Sequence, residues 1–197
     1  MKRTLQIFAA LVTTAVLAGC AGTNFKRPDP GALEVGKSTS AQVTQVMGPA
    51  PQTGESLRNG EKLKVHRYAY AEGAGTGKYP GVVPARAIVF LTHNDLLVAE
   101  EFVSSFPTDA TDFDDSKVAS IVKGKSTRSE VNALLGKPNG KGVYPFIKTK
   151  GESADIYSYS HAKGSVFNMK FYSKNLIVSY DAKGTVSDVE YTSTGEK

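Results

Sequence analysis

The chain predicts an α+β fold of two tandem units, each of one or two short helices packed on a three- to four-stranded antiparallel β meander. Three observations carry this expectation. A Gly-Lys-Ser-Thr motif occurs twice, each time opening a stretch of helical periodicity that a glycine ends. Each copy is followed by a strand with two tyrosines at alternating positions, and each tyrosine strand by apolar segments separated by turn residues.

The first helix follows Gly36-Lys37-Ser38-Thr39 and the second Gly124-Lys125-Ser126-Thr127; Gly48 and Gly136 each lie twelve positions after the first glycine of their copy. Val43, Val46 and Met47 match Val131, Leu134 and Leu135, the i, i+3, i+4 spacing of a short amphipathic helix. Thr39 with Gln42, and Thr127 with Glu130, satisfy the Thr-x-x-Gln/Glu capping box. Ser38 and Ser126 have no such partner, so threonine is the expected N-cap. Gly48 and Gly136, with Pro49, Pro51 and Pro138 close behind, suit the left-handed position that ends a helix.

Behind the helices, His66 to Ala71 parallels Asp155 to Ser160, placing Tyr68 and Tyr70, or Tyr157 and Tyr159, on one face of a strand. Ala87 to Leu91 and Leu176 to Tyr180 then run through turns, His93-Asn94-Asp95 and Ala182-Lys183-Gly184, into final strands ending near Phe102 and Tyr191. The second half adds a β segment at Val166 to Tyr172, and its counterpart is the weaker stretch around Val82 to Arg86. Between the halves, Pro107 to Asp112 is a turn-rich acidic connector, after which Asp114 or Asp115 is placed to cap a short helix over Lys117 to Val122. Ala32 to Val35 is the shorter equivalent in the first half. The expected units are 31–106 and 107–197, preceded by a tether over 20–30.

The N-terminus is of a different kind. Lys2 and Arg3 precede an apolar run from Leu5 to Val16, the layout of a signal peptide and too short to span a bilayer. It closes on Leu17-Ala18-Gly19-Cys20, and Cys20 is the only cysteine. This ending resembles the lipobox of bacterial lipoproteins, which implies removal of the signal peptide over 1–19, cleavage between Gly19 and Cys20, lipid on the Cys20 thiol and acylation of the new amino terminus. Ala21 follows where an aspartate would mark inner-membrane retention, so the resemblance implies the outer membrane, facing the periplasm. Cleavage of 19 residues from 197 leaves 178, enough for one large or two small cores, with no disulfide within them. Loss of Lys2 and Arg3 lowers the formal charge from +5 to +3, too weak and too dispersed to argue for nucleic acid.

The motif then gives a second resemblance. Gly124-Lys125-Ser126-Thr127, Glu130-Val131 and Leu135-Gly136-Lys137-Pro138, with strands behind them, are similar to the SmpA/OmlA (BamE-like) outer-membrane lipoproteins. The first half departs in Met47 before its glycine and Pro49-Ala50-Pro51 after it. The doubling resembles the architecture of the β-lactamase inhibitor protein. These resemblances imply a protein-binding or structural factor of the envelope, with the β-barrel assembly machinery as a candidate partner and a tethered inhibitor or sensor of a periplasmic enzyme as the alternative.

Other motifs carry less. Gly31-Ala32-Leu33-Glu34-Val35-Gly36-Lys37-Ser38 fits the phosphate-loop pattern, but Lys26-Arg27-Pro28-Asp29-Pro30 cannot form the buried strand such a loop must follow, so no nucleotide is expected. His66, His93 and His161 lack a second ligand at metal-binding spacing, and Asp109, Asp112, Asp114 and Asp115 lead to Lys123 where a calcium loop needs Glu. No metal, catalytic nucleophile or cofactor beyond the covalent lipid is expected. Two loops are candidate partner contacts, one with Lys78 and Tyr79, the other with Tyr144 and Phe146.

Cys20→Ala should abolish palmitate incorporation and membrane fractionation, because the thiol is the sole attachment point; a substituted protein that still takes up palmitate would refute the lipobox reading.

Overall fold

The computed structural model describes residues 22–73, 75–165 and 167–196. The expected signal peptide over 1–19 and Cys20 lie outside the described residues. Thr39 and Thr127 start two α-helices, α1 (Ser40–Met47) and α2 (Arg128–Leu135). Both capping boxes are complete. The Gln42 N–H donates to Thr39 Oγ1 at 3.3 Å and the Thr39 N–H to Gln42 Oε1 at 2.8 Å; Glu130 and Thr127 repeat the exchange at the same two distances. Gly48 and Gly136 follow at φ 78° and 85° with extended ψ, a region open essentially to glycine alone. Helices this short do not stand by themselves in water, and each buries its valine, Val43 or Val131, against a sheet.

That sheet overturns the α+β expectation. Its strands are β1 (Gln52–Arg58), β2 (Glu61–Ala71), β3 (Val82–Val83), β4 (Ala85–His93), β5 (Leu96–Ser104), β6 (Gly140–Val143), β7 (Ser153–Ser165), β8 (Asn168–Tyr180) and β9 (Val186–Gly195). They form one curled antiparallel sheet of nine strands in the order β1-β2-β4-β5-β6-β7-β8-β9, with β3 added to β7. The molecule is mostly β, 47% strand against 13% helix, rather than helices packed on two small meanders. The last strand of the first half and the early strands of the second are joined: Ala99, Glu100 and Glu101 pair with Gly142, Lys141 and Gly140, which pair in turn with Ala154, Asp155 and Ile156.

Several expected elements change with it. The helix expected over Lys117 to Val122 is a single 3₁₀ segment, Asp115–Ser120, capped by Asp114, and Ala32 to Val35 is a turn. The two strands expected at Val166 to Tyr172 and Leu176 to Tyr180 are replaced by the one thirteen-residue β8, which starts at Asn168; Phe167 is in the turn before it and Val166 lies outside the described residues. The polar run between them stays extended because Asn175 donates to Ser158 Oγ and Lys174 meets two aspartates. Strand β1 was not expected. It is a polar edge strand, and the signal for it was Asn59-Gly60, both at positive φ (50° and 82°) in the two-residue turn to β2.

Alternation along the strands sorts the side chains onto two faces. One carries both helices over Tyr68, Ile88, Phe90 and Phe102 in the first half and over Tyr157, Leu176, Val178 and Tyr180 in the second. On the other, Leu63, Val98, Ala99, Ala154, Ile156 and Ile177 form a core that crosses from one half to the other, capped by Phe146 and Ile147 from the β6–β7 connection. A Cβ on Gly142 would occupy the Phe146 ring, so this glycine makes room for the cap. Arg58 lies 4.7 Å from the Phe146 ring centre, and the Asn59 side chain donates to the Pro145 carbonyl at 2.9 Å, fixing the connection against the β1–β2 turn.

The duplicated motif makes the same bonds twice. The Gly36 N–H donates to the Leu97 carbonyl (2.7 Å), the Leu97 N–H to that of Ser38 (2.8 Å), and Ser38 Oγ accepts the Glu34 N–H (2.9 Å); Gly124, Val186, Ser126 and Val122 repeat these at 2.8, 2.8 and 2.9 Å. The serine therefore closes a turn, and the turn is sewn to the final strand of its own half. The first tyrosine of each pair ties the other end of the helix, donating to the Gly48 carbonyl (Tyr68, 2.6 Å) or the Gly136 carbonyl (Tyr157, 3.2 Å).

Where the halves meet, Asn139 is 7% exposed and bonds only to strands on either side. Its Nδ2 donates to the carbonyls of Phe102 and Ser158, and its Oδ1 accepts the Ser158 N–H at 2.8 Å. Its backbone accepts the Phe102 N–H at 2.9 Å and donates to Ile156 at 3.0 Å. Asn139→Ala should therefore cost about 3 kcal/mol in urea unfolding, since it strands two buried backbone groups, the Phe102 carbonyl and the Ser158 N–H, while the Ser158 carbonyl keeps its bond from Thr111, whereas Thr127→Ala should cost about 1 kcal/mol; a near-neutral Asn139→Ala would show that the junction does not depend on this side chain.

Candidate binding cleft

On the helical face, β7 and β8 extend beyond β6 and present Tyr157, Tyr159 and His161 opposite Leu176, Lys174 and Tyr172. Strand alternation makes Lys174 an inward residue in the row Tyr172, Lys174, Leu176, Val178, Tyr180, and it is 5% exposed. A lysine so buried needs partners. It has them in the acidic connector: Asp112 at 2.7 Å, Asp115 at 3.3 Å and the carbonyl of Phe113, whose ring lies 4.4 Å from the ammonium. Tyr79 donates to the second oxygen of Asp112 at 2.5 Å, and Tyr191 to that of Asp115 at 2.8 Å. The connector is thereby clamped to the sheet. Removing one member of such a buried ion pair costs about 3–5 kcal/mol, so this part of the arrangement holds structure.

Beside the clamp lies a cleft of about 590 Å³ between the connector, Tyr79-Pro80 and the β7–β8 hairpin. Its aromatic wall runs through Tyr79, Tyr159, His161 and Tyr172, with successive ring centres 6.3, 5.5 and 5.4 Å apart. Tyr159 is 2% exposed, yet its hydroxyl has no hydrogen-bond partner, and neither do the ring nitrogens of His161. Burial, with Lys163 adding to it, holds the His161 ring below its ordinary value of 6.5, so near neutral pH it offers one donor and one acceptor. Burial and the negative charge of Asp112 raise the Tyr159 phenol, which stays protonated. The bond to Asp112 pushes Tyr79 up to about 12. The cleft thus presents ring faces, with uncharged donors and acceptors buried just behind them and the charges of Asp112, Asp114, Asp115, Lys163 and Lys174 along its lining. Rings and mixed polar groups of this kind suit a polar ligand such as a peptide segment.

The residues singled out from sequence are scattered. Tyr79 stands at the rim of this cleft, and Lys78 beside it is exposed, its N–H donating to the Ser105 carbonyl. Phe146 is on the opposite face and only 6% exposed, a core residue rather than a free contact. Tyr144 is half-buried, and Lys150 lies 4.9 Å from its ring. Thr39, Gln42, Gly48, Thr127, Glu130 and Gly136 do the structural work described above. Gly19 and Cys20 lie outside the described residues. Lys37 pairs with Glu34 at 2.7 Å on the surface, and Ser38 Oγ is occupied by Glu34, so the phosphate-loop lookalike is a closed turn. Among the described residues no three His, Cys, Asp or Glu side chains converge as metal ligands do. From sequence, Tyr159 stands only as a strand-face residue and His161 only as a rejected metal ligand, and Lys174 is not singled out; the available signal was a lysine at an inward position of an otherwise apolar row.

No protein-family model, curated protein or solved structure matches the chain.

Two tyrosines of β7 should respond oppositely to loss of the hydroxyl. Tyr157→Phe breaks bonds to Asn132 (2.8 Å) and Gly136 (3.2 Å) and should cost about 0.5–1.5 kcal/mol in chemical unfolding. Tyr159→Phe removes a buried group that has no partner and should leave stability unchanged or raise it. Equal losses in the two variants would mean that the Tyr159 hydroxyl is already satisfied.

Proposed function

We propose that this protein is an outer-membrane lipoprotein, anchored through a lipid on Cys20 and facing the periplasm, that works by binding an envelope protein during assembly or maintenance of the envelope. The membrane part of the reading is supported by Leu17-Ala18-Gly19-Cys20 behind a charged and apolar start. The binding part is supported by one observation above the others: an aromatic cleft in which a buried tyrosine hydroxyl and a neutral imidazole are left without partners. Natural interiors rarely leave such groups unmet, and although these atoms are closed to solvent as the rings now lie, an extended partner segment that turns the rings toward the cleft supplies the missing donors and acceptors along with apolar contact. The likeness of the duplicated helix motif to SmpA/OmlA lipoproteins makes the β-barrel assembly machinery the first partner to examine.

Deletion should make cells more permeable to large antibiotics, and only the lipidated protein should restore the barrier. A lipidated Tyr79→Ala/His161→Ala double variant should fold and reach the membrane yet fail to restore it, and should lose the envelope proteins that co-elute with the parent from mild detergent. Full restoration by that variant would remove the cleft from the function. An intact barrier in the deletion strain, together with inhibition of a periplasmic hydrolase by the purified protein, would favour the tethered inhibitor.

A further inference from the structure

The segment from Gly22 to the first turn lies along the sheet. Gly22 makes an antiparallel bridge to Tyr70, next to the point where β1 ends its pairing with β2 at Gln52–Arg67. Phe25 packs on the core of the first half with its ring 6.4 Å from that of Tyr68, and Arg27 lies 4.9 Å from the ring of Phe102. Cys20 is two residues before Gly22 in the chain, a separation that full extension limits to about 7 Å. The place where a bilayer would meet the domain is therefore set by the fold.

Gly22 lines a groove of about 620 Å³ on the face opposite the helices, floored by small residues such as Ala69, Ala87 and Ala162. The wall across from Gly22 includes Phe171. This phenylalanine is 68% exposed, and Phe167 at the end of the same hairpin is 96% exposed. Alternation gives the hairpin two unlike sides. Met169 and Phe171 point to the groove side, whereas Lys170 and Lys163, which face each other in the ladder, point to the other. An apolar side next to a basic side, at the outer end of a hairpin, is the amphipathic arrangement of an interfacial segment.

We propose that the end of the β7–β8 hairpin, through Phe167, Met169 and Phe171, is a second membrane contact that rests in the headgroup–acyl boundary of the leaflet holding the Cys20 lipid. The proposal rests on the lipoprotein reading above. The bilayer is favoured over a protein occupant because the apolar side shares its groove with Gly22, and the chain beyond Gly22 leads within two residues to the lipid. Aromatic rings are suited to the interface, and Lys163 on the opposite side adds a positive charge that anionic headgroups attract, while Lys170 beside it is paired with Glu196. The lipid supplies the affinity, and the hairpin fixes the tilt of the domain.

The chain contains no tryptophan, so a single substitution gives a unique reporter. Full-length lipidated protein carrying Phe167→Trp, and separately Phe171→Trp or Leu57→Trp, is reconstituted into phosphatidylcholine vesicles with and without bromine in the acyl chains, and palmitate incorporation is measured on each sample. The two hairpin reporters should emit at shorter wavelength than in detergent-free buffer and lose about half their intensity to bromine, as expected for side chains about 5–10 Å into the interface. The Leu57→Trp control, on the exposed edge strand at the other end of the sheet, should be unaffected. Unquenched hairpin reporters in palmitate-labelled protein would overturn the proposal while leaving the lipid anchor standing. Absence of palmitate would overturn both. A blue shift that grows with protein concentration and is insensitive to bromine would also overturn it, assigning the hairpin to contact between copies.

Discussion

Asn139 is the constraint on which the rest of the structure depends. Two half-sheets that begin as separate hairpin sets must become one, and the strand that joins them, β6, is only four residues long. A bridge this short leaves unpaired backbone on both neighbours just beyond its end. The carboxamide of Asn139 supplies what is missing, because it carries donors and an acceptor on one planar group and meets Phe102 on one side and Ser158 on the other. Low local polarity makes such a satisfied network strong and an unsatisfied one costly. Thr111 reinforces the seam from the connector, donating to the Ser158 carbonyl at 2.7 Å.

Once the halves are fused, the roles of the two faces follow. The helical face keeps two separate cores, one under each helix, because each helix is sewn to the closing hairpin of its own half. The opposite face has one core that spans the seam, and Phe146 reaches it only because position 142 has no side chain. Beyond the end of β6, the curl of the sheet leaves a groove on that second face, and the connector leaves the aromatic cleft on the first. The ion pair of Lys174 with Asp112 and Asp115 belongs to this geometry: it holds the connector down at the edge of the cleft while the adjacent tyrosine and histidine remain without partners.

In the lipoprotein reading, the N-terminal segment gives these surfaces an orientation. A flexible linker would let the domain tumble beneath such an anchor, but bridging at Gly22 and packing of Phe25 commit the chain to one edge of the sheet only two residues after Cys20. In the lipoprotein reading, the groove side of the long hairpin then turns toward the membrane and the cleft of Tyr159 and His161 lies on the other face. A binding surface held in this way samples one layer of the periplasm, and this is the physical advantage a tether gives a protein that acts by contact.

Local chemistry was legible in the amino-acid sequence. The capping boxes of Thr39 and Thr127, the terminating glycines, the paired tyrosines and the hairpin turns all depend on residues within a few positions of one another, and each stands where its neighbours dictate. The sequence also carried the duplication, because the same local bonds require the same residues twice. Pairing between halves was not legible, since Gly140-Lys141-Gly142 reads as a loop and becomes a strand only when β5 and β7 offer it partners on both sides. Nor was the fate of Phe146, an aromatic in a lysine-rich segment that looks exposed until a glycine four residues earlier lets it turn inward. Lys174 and His161 acquire their meaning from Asp112 and Tyr159, which lie 62 and 2 positions away along the chain. The sequence by itself determined the turns, the caps and the repeat, because these are settled by bonds between near neighbours. Only the tertiary structure decided that there is one sheet, which face each loop covers and where polar groups are left open, because those depend on contacts between residues that meet only when the chain is folded.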